Sequence, residues 1–254
     1  YQSAPVPISM KHDQYVMGTR DVVYIINRLN EPIELKQLMD FVLSDDPAKK
    51  YRIPGEKPLD YLPTNKIKLT VDKSKVLSSG TVKEKDASLI VDTMEWTLKG
   101  QYITKSALAI LDIIANNNWE RPIYFVSPFG DGDIGIADYL QHEGFAYRLV
   151  PIKSNSSDYL NISRIDSDIL YDRLMNRFRW GRINEPDVFI DHNVQRTAMV
   201  LKLRNSFSRL AKKLIEEGKK DSALKVLDRA VELLPHPKFP YDFFMFGIIE
   251  GYYK

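Results

Sequence analysis

Gly130, Gly132 and Gly135 stand in "RPIYFVSPFGDGDIGIADYL" at the G-x-G-x-x-G spacing of a dinucleotide-binding turn, where loop amides and a helix N-terminus face a pyrophosphate. In a working fingerprint the first glycine follows the strand directly, and an acid about 20 residues further on holds the ribose. Here Ser127, Pro128 and Phe129 intervene, Asp131 and Asp133 occupy the place of the anion, and the second strand ends in Pro151, Ile152 and Lys153. Two carboxylates in an anion site argue against a nucleotide. Asp131 and Asp133 also have the spacing of the first two ligands of an EF-hand loop. That loop requires a ligand at its fifth position and glycine at its sixth, whereas Gly135 and Ile136 stand there and Glu143 falls one place late. The stretch reads as a strand-to-helix turn with acids near a helix N-terminus, where the helix dipole favours them, and no cofactor is expected.

A second stretch, "NRFRWGR", interleaves Arg177, Arg179 and Arg182 with Phe178 and Trp180, the mixture that stacks on rings and grips anions. Phe178 and Trp180 also continue the apolar spacing of Leu170 and Leu174, so packing with solvated arginines accounts for the same residues. Arg177, Arg179, Trp180 and Arg182 are the candidate partner-binding residues. In "NNNWERPIYF", Trp119 is expected to pack over a sheet end while Glu120 and Arg121 pair or face water.

Catalytic constellations are missing. His12-Asp13 and Asp191-His192 are acid–histidine neighbours, but adjacent side chains on one chain normally point apart; no G-x-S-x-G motif is present. With no cysteine and four scattered histidines, thiolate and helical His–His metal spacings are absent, so no metal is expected. The 36 Lys+Arg against 34 Asp+Glu give no global field toward nucleic acid or anionic lipid. No apolar run reaches the roughly 20 residues that span a bilayer. The start at Tyr1, in the extended and proline-broken "YQSAPVPIS", predicts a domain excised from something longer.

The elements that would position these residues fall into two kinds. "RDVVYIINR" reads as a strand and "PIELKQLMDFVLS" as the helix after it, followed by a proline-rich loop over residues 45–64. "NKIKLTV", "KVLSSGTV" and "MEWTLKG" alternate as short strands or hairpin arms. "TKSALAILDIIANNN" reads as a buried helix with a threonine cap. "RPIYFV", "IADYLQHEG" and "FAYRLVPI" read as strand, helix and strand. The fold expected over residues 1–152 is an α/β domain with a mostly parallel or mixed sheet. Residues 153–192 form a connection with one helix, "SDILYDRLMNRFRW", and residues 193–254 an all-α region.

The helical tail is the most patterned part. In "FSRLAKKLIEEGKKDSALKVLDRAVELLP", Phe207, Leu210, Ala211, Leu214, Gly218, Ala223, Leu227, Ala230 and Pro235 fall at tetratricopeptide spacing. The alanines let two antiparallel helices approach, Gly218 serves the turn and Pro235 stops the second helix. "YDFFMFGIIEGYYK" is then expected to supply the first helix of a further unit.

Taken in order, "APVPISMKHDQYVMGTRDVVYI", "ANNNWERPIYF", "EGFAYRLVPI", "LMNRFRWG" and "LIEEGKKDSALKVLDRAVELLP" resemble the C-terminal soluble region of a bacterial family of multi-pass membrane proteins similar to protein O-mannosyltransferases. The resemblance implies a preceding membrane part of the glycosyltransferase-C kind, a lipid-phosphate sugar donor, and a place for this region on the extracytoplasmic, periplasmic face. In such enzymes the catalytic acid sits in an early loop of the membrane part, and no residue of this chain matches it. The expected function is an accessory domain of a protein glycosyltransferase that packs on the membrane domain of its own polypeptide and holds acceptor proteins. A non-catalytic interaction scaffold and a small-molecule-binding α/β enzyme are the alternatives.

Overall fold

In the computed structural model, which describes residues 5–16, 21–127, 133–154, 163–191 and 200–254, β-branched and aromatic runs build small mixed sheets and the longer 3.6-periodic runs build helices. The chain divides into two units, Tyr1–Leu140 with Arg148–Ser156, and Gln141–Tyr147 with Ser157–Lys254.

In the first unit a short α1 (His12–Tyr15) precedes β1 (Val22–Ile25), β2 (Ile33–Glu34) and α2 (Leu35–Val42). Then come β3 (Tyr61–Leu62), β4 (Lys66–Thr70), α3 (Lys73–Ser78), β5 (Thr93–Thr97), β6 (Tyr102–Thr104), α4 (Lys105–Asn117) and β7 (Tyr124–Phe125). β1 is central in one sheet, parallel to β3 and antiparallel to β6. β4 is central in a second, parallel to β2 and antiparallel to β5. Val23, Leu62 and Ile103, which alternate with the tyrosines on their strands, are buried, as are Leu35, Leu38 and Met39 of α2 and Leu108 and Leu111 of α4. Thr104 caps α4, its Oγ1 accepting from the Ala107 N–H at 3.3 Å. The buried Asp112 of α4 accepts from the backbone N–H groups of Ser9 and Met10, at 2.5 and 3.0 Å, and so fixes the N-terminal segment. α4 closes on Asn118 and Trp119 with φ of +44° and +58°, a left-handed pair that turns the chain under the buried Trp119 ring. Glu120 lies 3.6 Å from Lys75, and Arg121 donates to Pro5 O at 2.8 Å.

Three expectations are corrected here. "KVLSSGTV" is no strand: α3 runs through it, capped by Asp72, whose Oδ1 accepts from the Lys75 N–H at 3.0 Å, and ended at Gly80 with φ +66°. The capping signal outweighed an alternation too short to fix a period. The proline-rich loop is interrupted by β3, held by β1. "IADYLQHEG" is a 3₁₀ turn, Ala137–Tyr139, followed by β8 (Leu140–His142), and β9 (Tyr147–Leu149) follows. A run this short, bounded by Gly135 and Gly144 at φ +76° and +98°, cannot repay helix nucleation. The strand–helix–strand unit is therefore absent there and the sheets are mixed. The turn expected to lead into a helix leads into β8 instead; residues 128–132, with Gly130, Asp131 and Gly132, lie outside the described residues.

The second unit holds α5 (Ser167–Tyr171), a π-helical turn (Asp172–Arg177), α6 (Leu201–Glu216), α7 (Lys220–Leu233) and α8 (Met245–Tyr252). The helix expected through Trp180 stops at Arg177, because the Phe178 N–H closes a five-residue loop onto Arg173 O at 2.9 Å and Phe178 turns extended. α6 and α7 form an antiparallel hairpin. At its corner Gly218, φ +74°, donates to Ile215 O and Lys219 N–H reaches back to Leu214 O, the paired bonds of a glycine-stopped helix end. Phe207, Leu210, Ala211, Leu214, Ala223, Leu227 and Ala230 are all buried in one apolar core, and Pro235 follows the last turn of α7. α8 packs on this hairpin through two glycines one turn apart. A Cβ on Gly247 would lie 2.9 Å from Ser208, and one on Gly251 would lie 3.0 Å from Leu227.

Candidate functional site

In the arginine–tryptophan segment the rings pack inward while the arginines stay exposed. Trp180 donates its Nε1–H to Leu174 O at 3.2 Å and packs against Phe178 and Phe207 at ring separations of 5.8 Å. Arg177 is paired with Asp172 at 2.5 Å, and Arg182 with Glu185 and Asp187 at 2.5 and 2.7 Å, which raises the Arg182 pKa further, the Glu185 hydrogen bond acting most. Arg179 is exposed. The four side chains thus belong to one short segment, with the ring in the packing and two of the three guanidinium groups on acids of the same segment.

Behind that segment lies a buried polar network to which no sequence motif pointed. Glu143 accepts from Arg173 at 2.5 Å and from the Gln141 amide at 2.9 Å, while Arg164 donates to Gln141 Oε1 at 2.5 Å. His142 meets Ser206 Oγ at 2.9 Å, and Arg209 donates to Ser163 O at 2.7 Å. Burial, assisted by the Arg209 charge, lowers the His142 pKa from 6.5 to about 3. Apart from His142 Nδ1, which is buried without a hydrogen-bond partner among the described residues, these groups are bonded to protein partners, and the network fixes residues 141–147.

The first unit carries a different arrangement. Register places Tyr61, Tyr24 and Tyr102 side by side across β3, β1 and β6, so the three rings share one face of the sheet, opposite Val23, Leu62 and Ile103. Tyr102 supports Tyr24 edge-on at 6.5 Å, and Tyr51 supports Tyr61 at 5.8 Å. The rim over this floor is a small hairpin. Tyr51 and Leu59 exchange backbone hydrogen bonds at 2.8 and 2.9 Å. Between them, Ile53-Pro54-Gly55-Glu56 closes with the Glu56 N–H on Ile53 O at 3.1 Å and Gly55 at φ +85°, the proline–glycine order of a type II turn. Lys50 anchors its base, donating to Ser44 O and to Asp60, both partners of the ion pair nearly buried.

Floor and rim enclose an open cleft of about 580 Å³, lined by Tyr24, Tyr51 and Tyr61 together with Glu56, Asp60 and Gln101. That volume falls within the range of small-molecule sites. Arg28 lies over the Tyr51 and Tyr61 rings, 5.5 and 5.2 Å from their centroids, and donates to the Tyr61 hydroxyl at 3.3 Å. Sequence inspection missed this cleft because its residues come from four separate stretches. Among the described residues no group of three or more His, Asp or Glu side chains is gathered to hold a metal, and no helix is long and apolar enough to cross a membrane.

A family model described as TMEM260-associated domain 2 matches residues 1–169. No curated protein and no solved structure matches the chain.

Proposed function

From the family of TMEM260-associated domain 2, to which this chain belongs, we propose that it serves as an accessory domain of a membrane protein glycosyltransferase of the O-mannosyltransferase-like kind. In this reading it lies on the extracytoplasmic face, packs on the membrane domain of its own polypeptide, and contributes to acceptor-protein binding and not to bond making. The family match carries the reading.

The acceptor-binding role falls to the helical region. α6 and α7 bury the seven apolar positions of the tetratricopeptide pattern and place Gly218 and Pro235 at its corner and end. Read as such a repeat, the hairpin with α8 stacks into the concave surface that these arrays offer to extended peptides. Phe246 on α8, with Phe243 and Tyr253 at its two ends, is largely exposed. The test is transfer of sugar to acceptor proteins by the full-length parent, with and without the residues beyond Asn193. Loss of acceptor modification with the membrane part still folded and inserted is the expected result; unchanged modification would overturn the role.

A further inference from the structure

We propose that the tyrosine cleft of the first unit is a binding site for an uncharged saccharide. The argument uses the cleft alone and does not depend on the glycosyltransferase reading.

A sugar ring has two kinds of surface. Its axial C–H groups form an apolar patch that stacks on an aromatic face, and its equatorial hydroxyls each donate and accept hydrogen bonds around the edge. A site for it therefore combines exposed rings with carboxylates and amides at their margin. The cleft has this composition. Tyr24 is 48% exposed, and its register neighbour Tyr102, at 52%, holds the ring from the side and so limits the rotamer entropy lost on stacking. Around the margin stand the Glu56 carboxylate on the turn, the Gln101 side-chain amide and the Asp60 carboxylate held in place by Lys50. Two carboxylates and an amide pair bidentately with vicinal hydroxyls.

Charge separates this ligand from its competitors. The Lys50–Asp60 pair is neutral, and the Glu56 carboxylate is balanced by the Arg28 cation over two of the lining rings, so these groups leave no net charge that would select a phosphate or sugar phosphate over a neutral ligand. A proline-rich peptide would need parallel aromatic ridges along an open groove. Here Tyr51 and Tyr61 meet edge to face at 62° in a concave space.

The test is titration of the whole 254-residue chain with neutral methyl glycosides and disaccharides, read by saturation-transfer NMR and calorimetry. Glucose 6-phosphate and a proline-rich decapeptide serve as competing probes. At least one neutral saccharide should bind. Tyr24→Ala should weaken it about tenfold, Tyr24→Phe should keep most of the affinity because the ring remains, and Glu56→Gln should weaken it by a similar factor. Tyr24→Phe and Glu56→Gln change a half-exposed ring and an exposed turn residue, so the fold survives them, as circular dichroism would verify. Absence of binding by every neutral saccharide, binding indifferent to Tyr24→Ala and Glu56→Gln, or binding of the phosphate or the peptide in their place would overturn the assignment.

Discussion

His142 Nε2 lies 2.9 Å from the Oγ of Ser206, 64 residues further along the chain, in the buried interior of the second unit. The Ser206 hydroxyl spends its own proton on Lys202 O at 2.7 Å, so the imidazole is the donor and its proton sits on Nε2. Nδ1 is buried with no hydrogen-bond partner among the described residues. A second proton there would find neither water nor an acceptor, beside the Arg209 charge.

Stability of the second unit should therefore fall in mild acid. His142 titrates in the unfolded chain at its ordinary 6.5 but in the fold only near 3, so as the pH falls through 6.5 the unfolded state binds a proton that the folded state refuses. The contribution is whole above pH 6.5 and is lost progressively toward 3, at about 1.4 kcal/mol per pH unit. Amide exchange of α6 at a series of pH values measures it. The His142→Asn variant should show a flatter profile across that window, and an equally steep one would contradict the assignment.

The pair of Glu143 and Arg173 should behave as a coupled unit. The Glu143 side chain is 1% exposed and that of Arg173 32%, at a separation of 2.5 Å. Removing the carboxylate by Glu143→Leu leaves Arg173 facing the interior and should cost about 3 kcal/mol. Replacing both by leucine should recover a good part of that loss, since neither charge then needs a partner. A double variant no more stable than the single one, measured by urea unfolding, would mean that the pair is not coupled.

How far the sequence revealed these features depended on whether their cause was local. α4, α6 and α7 are legible because each repeats its apolar residues over several turns, with Thr104 opening α4 and Gly218 ending α6 as recognisable signals. α3 was misread because Val76 alone is buried in it and the Asp72 cap was the sole local sign. β8 was misread because Leu140, Gln141 and His142 are all buried, which erases the alternation of a half-exposed strand. The network of Glu143, Arg173, Arg164 and Gln141, like the tyrosine row, joins residues far apart in the chain. The identity of each is visible in the sequence, while their meeting is a property of tertiary register.

Gly144 should tolerate no side chain. Its φ is +98°, and a Cβ would stand 2.5 Å from Cε2 of Phe178, the ring that also meets Phe145 at 4.9 Å. Gly144→Ala combines backbone strain of about 1–3 kcal/mol with the displacement of that ring. Gly181→Ala, at φ +58° with open space around the new methyl, should cost only the backbone part. Thermal or urea unfolding of the two variants gives the comparison, and equal losses would show that the Phe178 contact carries no weight.

Gly247 and Gly251 should determine whether α8 stays on the hairpin. The helix itself is short, eight residues, and gains little from intrinsic propensity, so its order depends on the close approach to Ser208 on α6 and Leu227 on α7. Gly247→Val puts a branched side chain where even a Cβ is 2.9 Å from Ser208. Amide exchange over residues 245–252 should accelerate strongly while α6 and α7 keep most of their protection, because Phe207, Leu210, Leu214, Ala223 and Ala230 of their core come from the hairpin itself and α8 adds only Met245 and Ile248 to it. Adding Ser208→Gly should restore part of the protection by returning the lost space. If α8 stays protected in Gly247→Val, its hold on the hairpin lies elsewhere, in the Tyr252 hydroxyl bonded to Asp228 at 2.8 Å, and Tyr252→Phe becomes the substitution that frees it.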